Sequence, residues 1–223
     1  MKISCIIPCK NEGNTIVDVM ESVRNFCDEL IVVDGGSTDN TLRILRTAGV
    51  KFLQDNGRGK GDGMITGAAA AAGDILVFLD ADGSHNPQDI PSLIEPILKN
   101  EADLVIGSRI RGGSDEAFSS IENVARMLGG FFLSFAMKKI WKTELTDCLN
   151  GFRAIKKEKF SELDLRCMDF VIEEEMVIKL LKNHGRIREI PSHEFVRKSG
   201  VSKLKTSQGW KFILYFLKSV LFL

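Results

Sequence analysis

Short runs of apolar, often β-branched residues alternate with longer amphipathic stretches through the first hundred residues of the chain. Each short run is apolar at successive positions, which is typical of a strand buried on both faces of a sheet. Strands of this kind joined by crossover helices form a mainly parallel sheet, so the pattern predicts an α/β fold. The predicted strands cover residues 3–7, 30–34, 50–53, 75–80 and 104–108.

The stretches between these strands carry apolar residues at helical spacing. The predicted helices cover residues 15–23, 38–48, 64–72 and 91–99. Thr38 and Asp39 are the predicted caps of the second helix. Two strands end in an aspartate followed by glycine or a small residue, in VVDGG and FLDADG. Because open α/β sheets bind ligands at the carboxyl ends of their strands, this edge is the predicted site.

Two later segments are apolar around most of the helical circumference. Segment 121–142 ends in three lysines and a tryptophan, which suits a lipid headgroup region, and its GG pair at 129–130 predicts a break. A buried helical hairpin is the alternative, because a core helix is also apolar on all sides. Segment 210–223 is shorter than the roughly 20 residues that span a bilayer, so it is interfacial, a core helix or a stub.

We expect one domain over residues 1–205, with amphipathic, membrane-interface helices at 117–142, followed by an apolar C-terminal helix at 206–223. The 30 basic and 30 acidic side chains cancel, which gives no electrostatic case for a nucleic-acid-binding protein. Five cysteines without a CxxC pair or zinc spacing indicate a reducing compartment.

Asp80 and Asp82 form a DxD motif directly after an apolar strand. Two carboxylates one residue apart at a strand end can bind one Mg²⁺ or Mn²⁺ ion that also ligates a diphosphate. A capped turn with solvated acids is the alternative. Asp34 ends another strand and Glu12 follows the first one, so the sheet edge is expected to gather all four acids.

Basic residues lie in the loops around this edge. The glycine-rich segment 56–63, which contains Lys60, fits neither a GxGxxG nor a P-loop pattern, but its backbone is flexible enough to approach phosphate. Arg109 follows a strand, and Arg153 lies in DCLNGFR. The run 197–205 holds four cations and no acid, which indicates either a solvated loop or a phosphate-binding one.

Seven motifs in order, IIPCKNE, VVDGGSTDNT, GRGKG, FLDADGSHNP, VIGSR, DCLNGFR and FVRKSGVSKL, resemble those of family 2 glycosyltransferases, in particular the dolichyl-phosphate mannose synthase-like branch. The resemblance implies a GT-A fold and a UDP- or GDP-linked sugar as donor. It also implies Mg²⁺ or Mn²⁺, and a polyprenyl (dolichyl or undecaprenyl) phosphate acceptor at the cytoplasmic face of the cell membrane. Sugar transfer would be a direct inverting displacement.

The same resemblance assigns roles by position. The implied nucleotide-sugar site comprises Pro8, Lys10, Glu12, Asp34, Lys60, Asp80, Ala81 and Asp82. The implied metal ligands are Asp80, Asp82 and Ser84. The implied acceptor or phosphate-binding residues are Arg109, Arg153, Arg197 and Lys203. The implied catalytic residues are Asp82, Arg109 and Glu175.

Three positions depart from the family pattern. Gly35 replaces the second of two paired aspartates, so Asp34 is only a candidate for reading the base. Lys10 stands where the family often has tyrosine. Ser84 stands where a glutamine often serves as third metal ligand, and serine is the weaker ligand.

The family's acid in the helix after Phe170 matches Glu174 or Glu175, and Met176 favours Glu175. A phosphate acceptor is largely ionised at neutral pH and needs no strong base. No obvious base histidine is present, and the three histidines are interpreted as surface or packing residues. These are His85, His184 and His193.

The sequence also leaves other functions open. A sugar-hydroxyl acceptor would need a general base, and a nucleotidyltransferase of the same fold would release pyrophosphate. FLDADGS also resembles the nucleophile strand of haloacid dehalogenase-type phosphatases, although it lies on the wrong strand. Gly35 and Ser84 motivate a non-enzymatic alternative, an inactive nucleotide-sugar-binding homologue. The sequence does not determine the oligomeric state either, and a homo-oligomer is one of the alternatives.

Overall fold

The computed structural model describes residues 1–199, 203–204 and 206–221. Its strands are β1 (Ile3–Cys9), β2 (Glu29–Asp34), β3 (Lys51–Gln54), β4 (Ile75–Phe78), β5 (Leu104–Ser108), β6 (Arg153–Lys156) and β7 (Ile187–Pro191). They form one seven-stranded sheet in the order β3-β2-β1-β4-β6-β5-β7. Among the strands of the described residues, only β6 runs antiparallel to its neighbours, β4 and β5. The predicted mainly parallel α/β fold is confirmed.

Helices cover both faces of this sheet. They are α1 (Ile16–Val23), α2 (Thr41–Thr47), α3 (Lys60–Ala70), α4 (Ile90–Leu98), α5 (Arg109–Gly112), α6 (Ile121–Trp141), α7 (Lys157–Glu162), α8 (Ile172–Lys182) and α9 (Gly209–Leu221). Successive residues of a strand point to opposite faces, so Ile6 joins the core beneath α3 and α8. Cys5 and Ile7 join the core beneath α1 and α4. The sheet is therefore buried on both sides.

All five predicted strands are present, four of them with shifted ends and β5 with the predicted ones. β4 ends at Phe78, two residues before its predicted end. The chain then leaves the sheet towards a turn at Gly83, whose φ is +76°. The prediction missed β6 and β7. The four residues of β6 (RAIK) place cations at both ends of a short run, so neither alternation nor a long apolar run marks this strand.

Two helix starts differ from the prediction by more than one residue. α2 begins at Thr41, where the backbone N–H donates to Asp39 Oδ1 at 2.9 Å, so Asp39 rather than Thr38 supplies the side-chain acceptor. α3 begins at Lys60, inside the segment predicted as a loop. Its first turn packs directly on a neighbouring backbone, because a Cβ on Gly61 would lie 2.2 Å from the carbonyl oxygen of Cys167.

α6 is one uninterrupted helix, so the predicted break at 129–130 and the helical-hairpin alternative are both wrong. Gly130 packs near Leu149, and only a narrow stripe of α6 is buried. Phe132 is 65% exposed, and four other large apolar side chains of α6 are at least 40% exposed. These are Leu128, Phe131, Phe135 and Ile140, besides Ile121 at the first position of the helix. We call Leu128, Phe131, Phe132, Phe135 and Ile140 the α6 apolar face.

α9 packs against α6 and α8 and is anchored by the buried Phe212. The rings of Trp141 and Phe216 meet edge to face, with their centroids 6.5 Å apart. No helix within the described residues has the length and hydropathy needed to cross a bilayer. Lys205 and residues 222–223, at the predicted domain boundary and the end of the predicted C-terminal helix, lie outside the described residues. The division into two parts stays a prediction.

Candidate active site

Two cavities open at the carboxyl edge of the sheet and meet at the loop that follows β4. The β1 cavity is lined by residues that include Pro8, Lys10, Glu12, Asp55, Ala81 and Lys203. The α6 cavity is lined by residues that include Ser84, Arg109, Arg126, Phe131, Asp147 and Glu173. Both cavities share Lys60, Asp80, Asp82, Phe170 and Arg197. The DxD pair therefore stands where the two cavities meet.

The two DxD carboxylates have cationic partners. Asp80 Oδ1 lies 2.5 Å from Lys60 Nζ, and Asp80 Oδ2 lies 3.4 Å from His85 Nε2. Asp82 Oδ2 lies 3.4 Å from the Arg197 guanidinium, while Asp82 Oδ1 accepts from the Ser84 backbone N–H at 3.0 Å. Burial works against ionisation of Asp80, but Lys60 and His85 outweigh it and hold the pKa of Asp80 well below its usual range.

Lys60 also contacts a second carboxylate, Glu173 Oε1, at 2.6 Å. Burial disfavours the charged ammonium, but Asp80 and Glu173 together raise the pKa of Lys60 above its usual value. Gly151 of the DCLNGFR motif leaves room for this arrangement, because a Cβ there would lie 2.4 Å from Lys60 Nζ and 2.9 Å from Asp80 Oδ2. The glycine thus positions the cluster by having no side chain.

The donor set fits a divalent cation. Asp80 and Asp82 offer carboxylate oxygens, the ligands that Mg²⁺ and Mn²⁺ prefer. The α6 cavity is lined by six carboxylates and four cationic side chains, an excess of two negative charges that one divalent ion would neutralise. Among the described residues no three His, Cys, Asp or Glu side chains form a ready metal cluster. The remaining ligands would come from a bound molecule or water.

Ser84, the implied third metal ligand, is buried and lines the α6 cavity. Its backbone contacts order the loop: the N–H donates to Asp82, and the carbonyl accepts from the Phe195 N–H at 2.8 Å. His85 is a packing residue as predicted, stacked on Phe152 with ring centroids 5.2 Å apart. Sequence reasoning missed that the same ring contacts Asp80 and so helps to set its charge.

The structure does not bring Asp34 to the cavity surface, which corrects its candidate role in reading the base. Its fully buried carboxylate accepts from the backbone N–H groups of Gly36 and Ser37, both at 3.0 Å, and so closes the turn after β2. Asp55 lines the β1 cavity instead. Burial, with Asp62 and Asp34 nearby, raises the pKa of Asp55. The sequence feature that could have indicated a site role for Asp55 is its position directly after β3, at the carboxyl edge of the sheet.

The three consecutive glutamates of α8 point in three directions, about 100° apart around the helix. Glu175 faces away from the cavities: its carboxylate accepts from the Cys167 N–H at 2.7 Å and pairs with Lys179 at 2.8 Å. This placement corrects the implied catalytic role of Glu175. Glu174 is wholly buried. Glu173 is the glutamate at the cavity, and sequence reasoning missed it.

Arg109, which the resemblance implies is a phosphate-binding residue, lines the α6 cavity. Its guanidinium makes two parallel hydrogen bonds to Asp147, at 2.8 and 2.9 Å, and a third contact to Glu194 at 3.3 Å. Burial opposes its charge, yet the two carboxylates raise the pKa of Arg109. The charge is held rigidly and remains next to the cavity.

Arg153 does not reach either cavity, which corrects its implied phosphate-binding role. The side chain is completely buried, and its guanidinium donates to the backbone carbonyls of Cys148, Asn150 and Glu173 at 2.5–3.0 Å. It joins the DCLNGFR loop to α8. A cation that caps carbonyls looks the same in sequence as one that binds phosphate.

The described part of the basic run 197–205 lies across the cavities. Arg197 bridges Asp82 and Glu116, the latter at 3.0 Å, and Lys203 pairs with Glu12. Gly200, Val201, Ser202 and Lys205 of this run lie outside the described residues. A further cation, Arg126 of α6, lines the α6 cavity and was missed, because an arginine on an amphipathic helix carries no motif.

A mainly parallel sheet whose carboxyl edge holds a DxD pair between two charged cavities is the arrangement of a nucleotide-sugar transferase fold. Residues 4–164 match the family described as "Glycosyl transferase family 2". The chain belongs to this family, and the resemblance seen in its motifs is confirmed. The GT-A fold and the glycosyltransferase class are confirmed with it, which disfavours the phosphatase and nucleotidyltransferase alternatives.

Curated relatives agree with this placement. The chain is 31% identical to a dolichol-phosphate mannosyltransferase of Pyrococcus furiosus over 98% of this chain and 63% of that protein. It is 31% identical to a UDP-N-acetylglucosamine–dolichyl-phosphate N-acetylglucosaminyltransferase of Methanococcus voltae, over 85% of this chain and 84% of that protein. The chain thus spans less than two thirds of the Pyrococcus protein and most of the Methanococcus one.

Solved structures show the same fold. Glucosyl-3-phosphoglycerate synthase from Mycobacterium tuberculosis, crystallised with UDP, superposes with a TM-score of 0.76 at 25% identity, over 98% of this chain and 79% of that one. The same enzyme crystallised with Mn²⁺, UDP-glucose and phosphoglyceric acid gives the same TM-score, identity and coverage.

Proposed function

We propose that this chain transfers a sugar from a nucleoside-diphosphate sugar to a polyprenyl or dolichyl phosphate, with Mg²⁺ or Mn²⁺, at the cytoplasmic surface of a membrane. The observation that carries the proposal is that the α6 cavity opens between the DxD pair and the α6 apolar face, with Phe131 lining both. A phosphate in that cavity can therefore carry an apolar chain that lies along α6. The names of the archaeal relatives, both acting on dolichyl phosphate, support it.

The β1 cavity is the proposed donor site. Pro8, Lys10 and Glu12 of the first loop and Ala81 of the DxD loop line it, as the resemblance implied. Asp55 lines the same cavity and directly follows β3, which lies three strands from β4 in the sheet, and this makes it the candidate partner for the base. The UDP and UDP-glucose complexes of the mycobacterial structures support this use of the cavity.

The α6 cavity is the proposed acceptor site. Arg109, Arg126 and Arg197 supply guanidinium groups, whose planar donors match phosphate oxygens. Arg109 and Arg197 are paired with carboxylates in the described structure, so a phosphate would share or replace those partners. Lys203 pairs with Glu12 and is placed to approach the donor.

The reaction forms one bond and breaks one. An acceptor phosphate oxygen attacks the anomeric carbon as the bond to the donor's β-phosphate oxygen breaks, with inversion, and the nucleoside diphosphate leaves. A metal at Asp80 and Asp82, with Ser84 as a candidate third ligand, would offset the charge that develops on the leaving group. Lys60 adds a positive charge beside them. No proton has to be removed, because the acceptor phosphate is already ionised.

A panel of UDP- and GDP-sugars tested with one polyprenyl phosphate examines the proposal directly. We expect nucleoside diphosphate release that requires both the lipid phosphate and Mn²⁺ or Mg²⁺, together with a lipid-linked sugar product. Transfer to sugar hydroxyls instead would establish the alternative acceptor. Pyrophosphate release would indicate a nucleotidyltransferase, and nucleotide-sugar binding without turnover an inactive homologue.

The α6 apolar face supports a second prediction. Replacing Phe132 and Phe135 together by glutamate should weaken co-sedimentation with anionic liposomes at least about tenfold, because two aromatic anchors are lost and two negative charges are added. Both side chains are about half exposed or more, so the fold should survive with a nearly unchanged melting temperature.

The matched control places glutamates at Val17 and Leu98, which are exposed apolar residues of α1 and α4 on the opposite face of the sheet. This control should bind liposomes like the unmodified chain. Equal binding by both double variants would contradict a membrane role for the α6 apolar face. Unfolding of the Phe132 and Phe135 variant alone would assign that face to the core.

A further inference from the structure

Both carboxylate oxygens of Asp80, a proposed metal ligand, already have partners. Lys60 Nζ lies 2.5 Å from Oδ1 and His85 Nε2 lies 3.4 Å from Oδ2. We propose that Lys60 is an internal counterion that competes with the divalent metal for Asp80, so that metal binds tightly only together with the donor diphosphate. This inference rests on the proposed function and adds to it the order in which the site is filled.

The position of Lys60 is built by the surrounding chain. The first turn of α3 presses on the backbone at Cys167 and Met168 through Gly61, which fixes where the lysine leaves the helix. Its ammonium then fits above Gly151, where a side chain would collide with it. A surface lysine sampling many rotamers would have no such cradle. The contact with Asp80 is therefore a defined feature of the site.

Competition follows from charge and geometry. An ammonium 2.5 Å from a carboxylate oxygen already offsets the negative charge of that oxygen and crowds the approach of a metal to it. A metal bound through the other oxygen would still stand a few ångströms from the ammonium, and two cations at that distance repel each other. Asp80 can therefore bind either Lys60 or a metal favourably, but binding both at once is unfavourable.

Glu173 is the alternative carboxylate partner of Lys60 when a metal binds Asp80. It lies 2.6 Å from the same ammonium, so Lys60 keeps a carboxylate partner when it gives up Asp80. The ammonium also lines both cavities, where a diphosphate bound beside the metal would add the negative charge that lets both cations remain. Metal and nucleotide should therefore bind cooperatively, with Lys60 as the residue that couples them.

The test measures Mn²⁺ binding, without any turnover, by isothermal titration calorimetry and by electron paramagnetic resonance of free Mn²⁺. Each protein is titrated with Mn²⁺ alone and then with Mn²⁺ in the presence of UDP and, separately, GDP. Lys60→Met should bind Mn²⁺ alone at least tenfold more tightly than the unmodified chain. Its gain in Mn²⁺ affinity on adding nucleotide should be correspondingly smaller.

Glu173→Gln should act in the opposite direction. Without the second carboxylate, Asp80 is the one carboxylate that Lys60 contacts among the described residues, so affinity for Mn²⁺ alone should fall several-fold. Lys203→Met is the matched control, because it removes one positive charge from the β1 cavity through Glu12 rather than through Asp80. It should change affinity for Mn²⁺ alone much less than Lys60→Met does.

Unchanged or weaker Mn²⁺ binding by Lys60→Met, in a variant with a normal melting curve, would overturn the competition. An equal gain from Lys203→Met would also overturn it, since general electrostatics would then account for the effect. If the unmodified chain binds Mn²⁺ with nucleotide but Lys60→Met changes nothing, only this inference fails. If neither protein binds Mn²⁺ under any condition, the metal role in the proposed function fails as well.

Discussion

Asp82→Asn is expected to lower sugar transfer at least about 10³-fold while leaving the fold intact. The amide oxygen can still accept from the Ser84 N–H, so the loop after β4 keeps its hydrogen bond. What is lost is the negative charge that would hold the metal and that faces Arg197. Loss of one preorganised electrostatic contact to a developing charge costs about 10²–10³ in rate, and loss of the metal costs more.

The measurement is initial-rate release of nucleoside diphosphate at saturating Mn²⁺, with the melting temperature recorded for each protein. Asp164→Asn is the matched control, because Asp164 is an exposed acid paired with Arg166 at the surface, and asparagine tolerates its φ of +45°. This control should retain full activity. Undiminished turnover by Asp82→Asn would reject the metal-binding role of the DxD pair.

Glu174→Gln is expected to abolish a pH dependence of stability that the unmodified chain should show. Glu174 is fully buried, and neither carboxyl oxygen has a hydrogen-bond partner among the described residues. Burial raises its pKa from 4.5 to about 9, so the folded chain keeps the proton at neutral pH. Burial also raises the pKa of the nearby Cys148 and Tyr215, which remain neutral across this range.

The direction in which stability changes with pH follows from proton linkage. Below about pH 4.5 both folded and unfolded chains hold the proton on Glu174, and its contribution to stability is fully present. As pH rises towards 9 only the folded chain holds it, so the free energy of unfolding falls by about 1.4 kcal/mol per pH unit. Between pH 5 and pH 7.5 the loss is of order 3 kcal/mol, or roughly 6–12 °C in melting temperature.

Melting curves at pH 5, 6.5 and 7.5 check this prediction. Glutamine does not titrate, so the variant should gain stability relative to the unmodified chain as pH rises. Glu95→Gln, at an exposed glutamate of α4 paired with Lys99, is the control and should follow the unmodified chain at every pH. Parallel pH profiles for Glu174→Gln and the unmodified chain would contradict a buried neutral carboxyl.

The EEE sequence of α8 is a case in which the sequence does not determine which side chain faces the cavity. Successive glutamates differ by about 100° around the helix, and each has a different neighbour: Lys60 for Glu173, the apolar core for Glu174, and the 166–167 backbone for Glu175. Helical periodicity predicts that the three diverge, but only the packing of α8 on the sheet says which one faces the cavity. The motif match favoured Glu175 and so chose the wrong face.

The strand pattern and the order of motifs determined by themselves the α/β class, the family and the edge of the sheet that carries the site. This is so because the succession of short apolar runs and amphipathic stretches, the turn residues and the motif spacing are all local properties of the chain. Tertiary structure alone decided that Asp34 and Arg153 are buried structural groups, that Asp55, Arg126 and Glu173 face the cavities, and that α6 is continuous with an exposed apolar face. Those outcomes depend on contacts between residues distant in sequence, where a charge or an aromatic ring is directed by what it packs against.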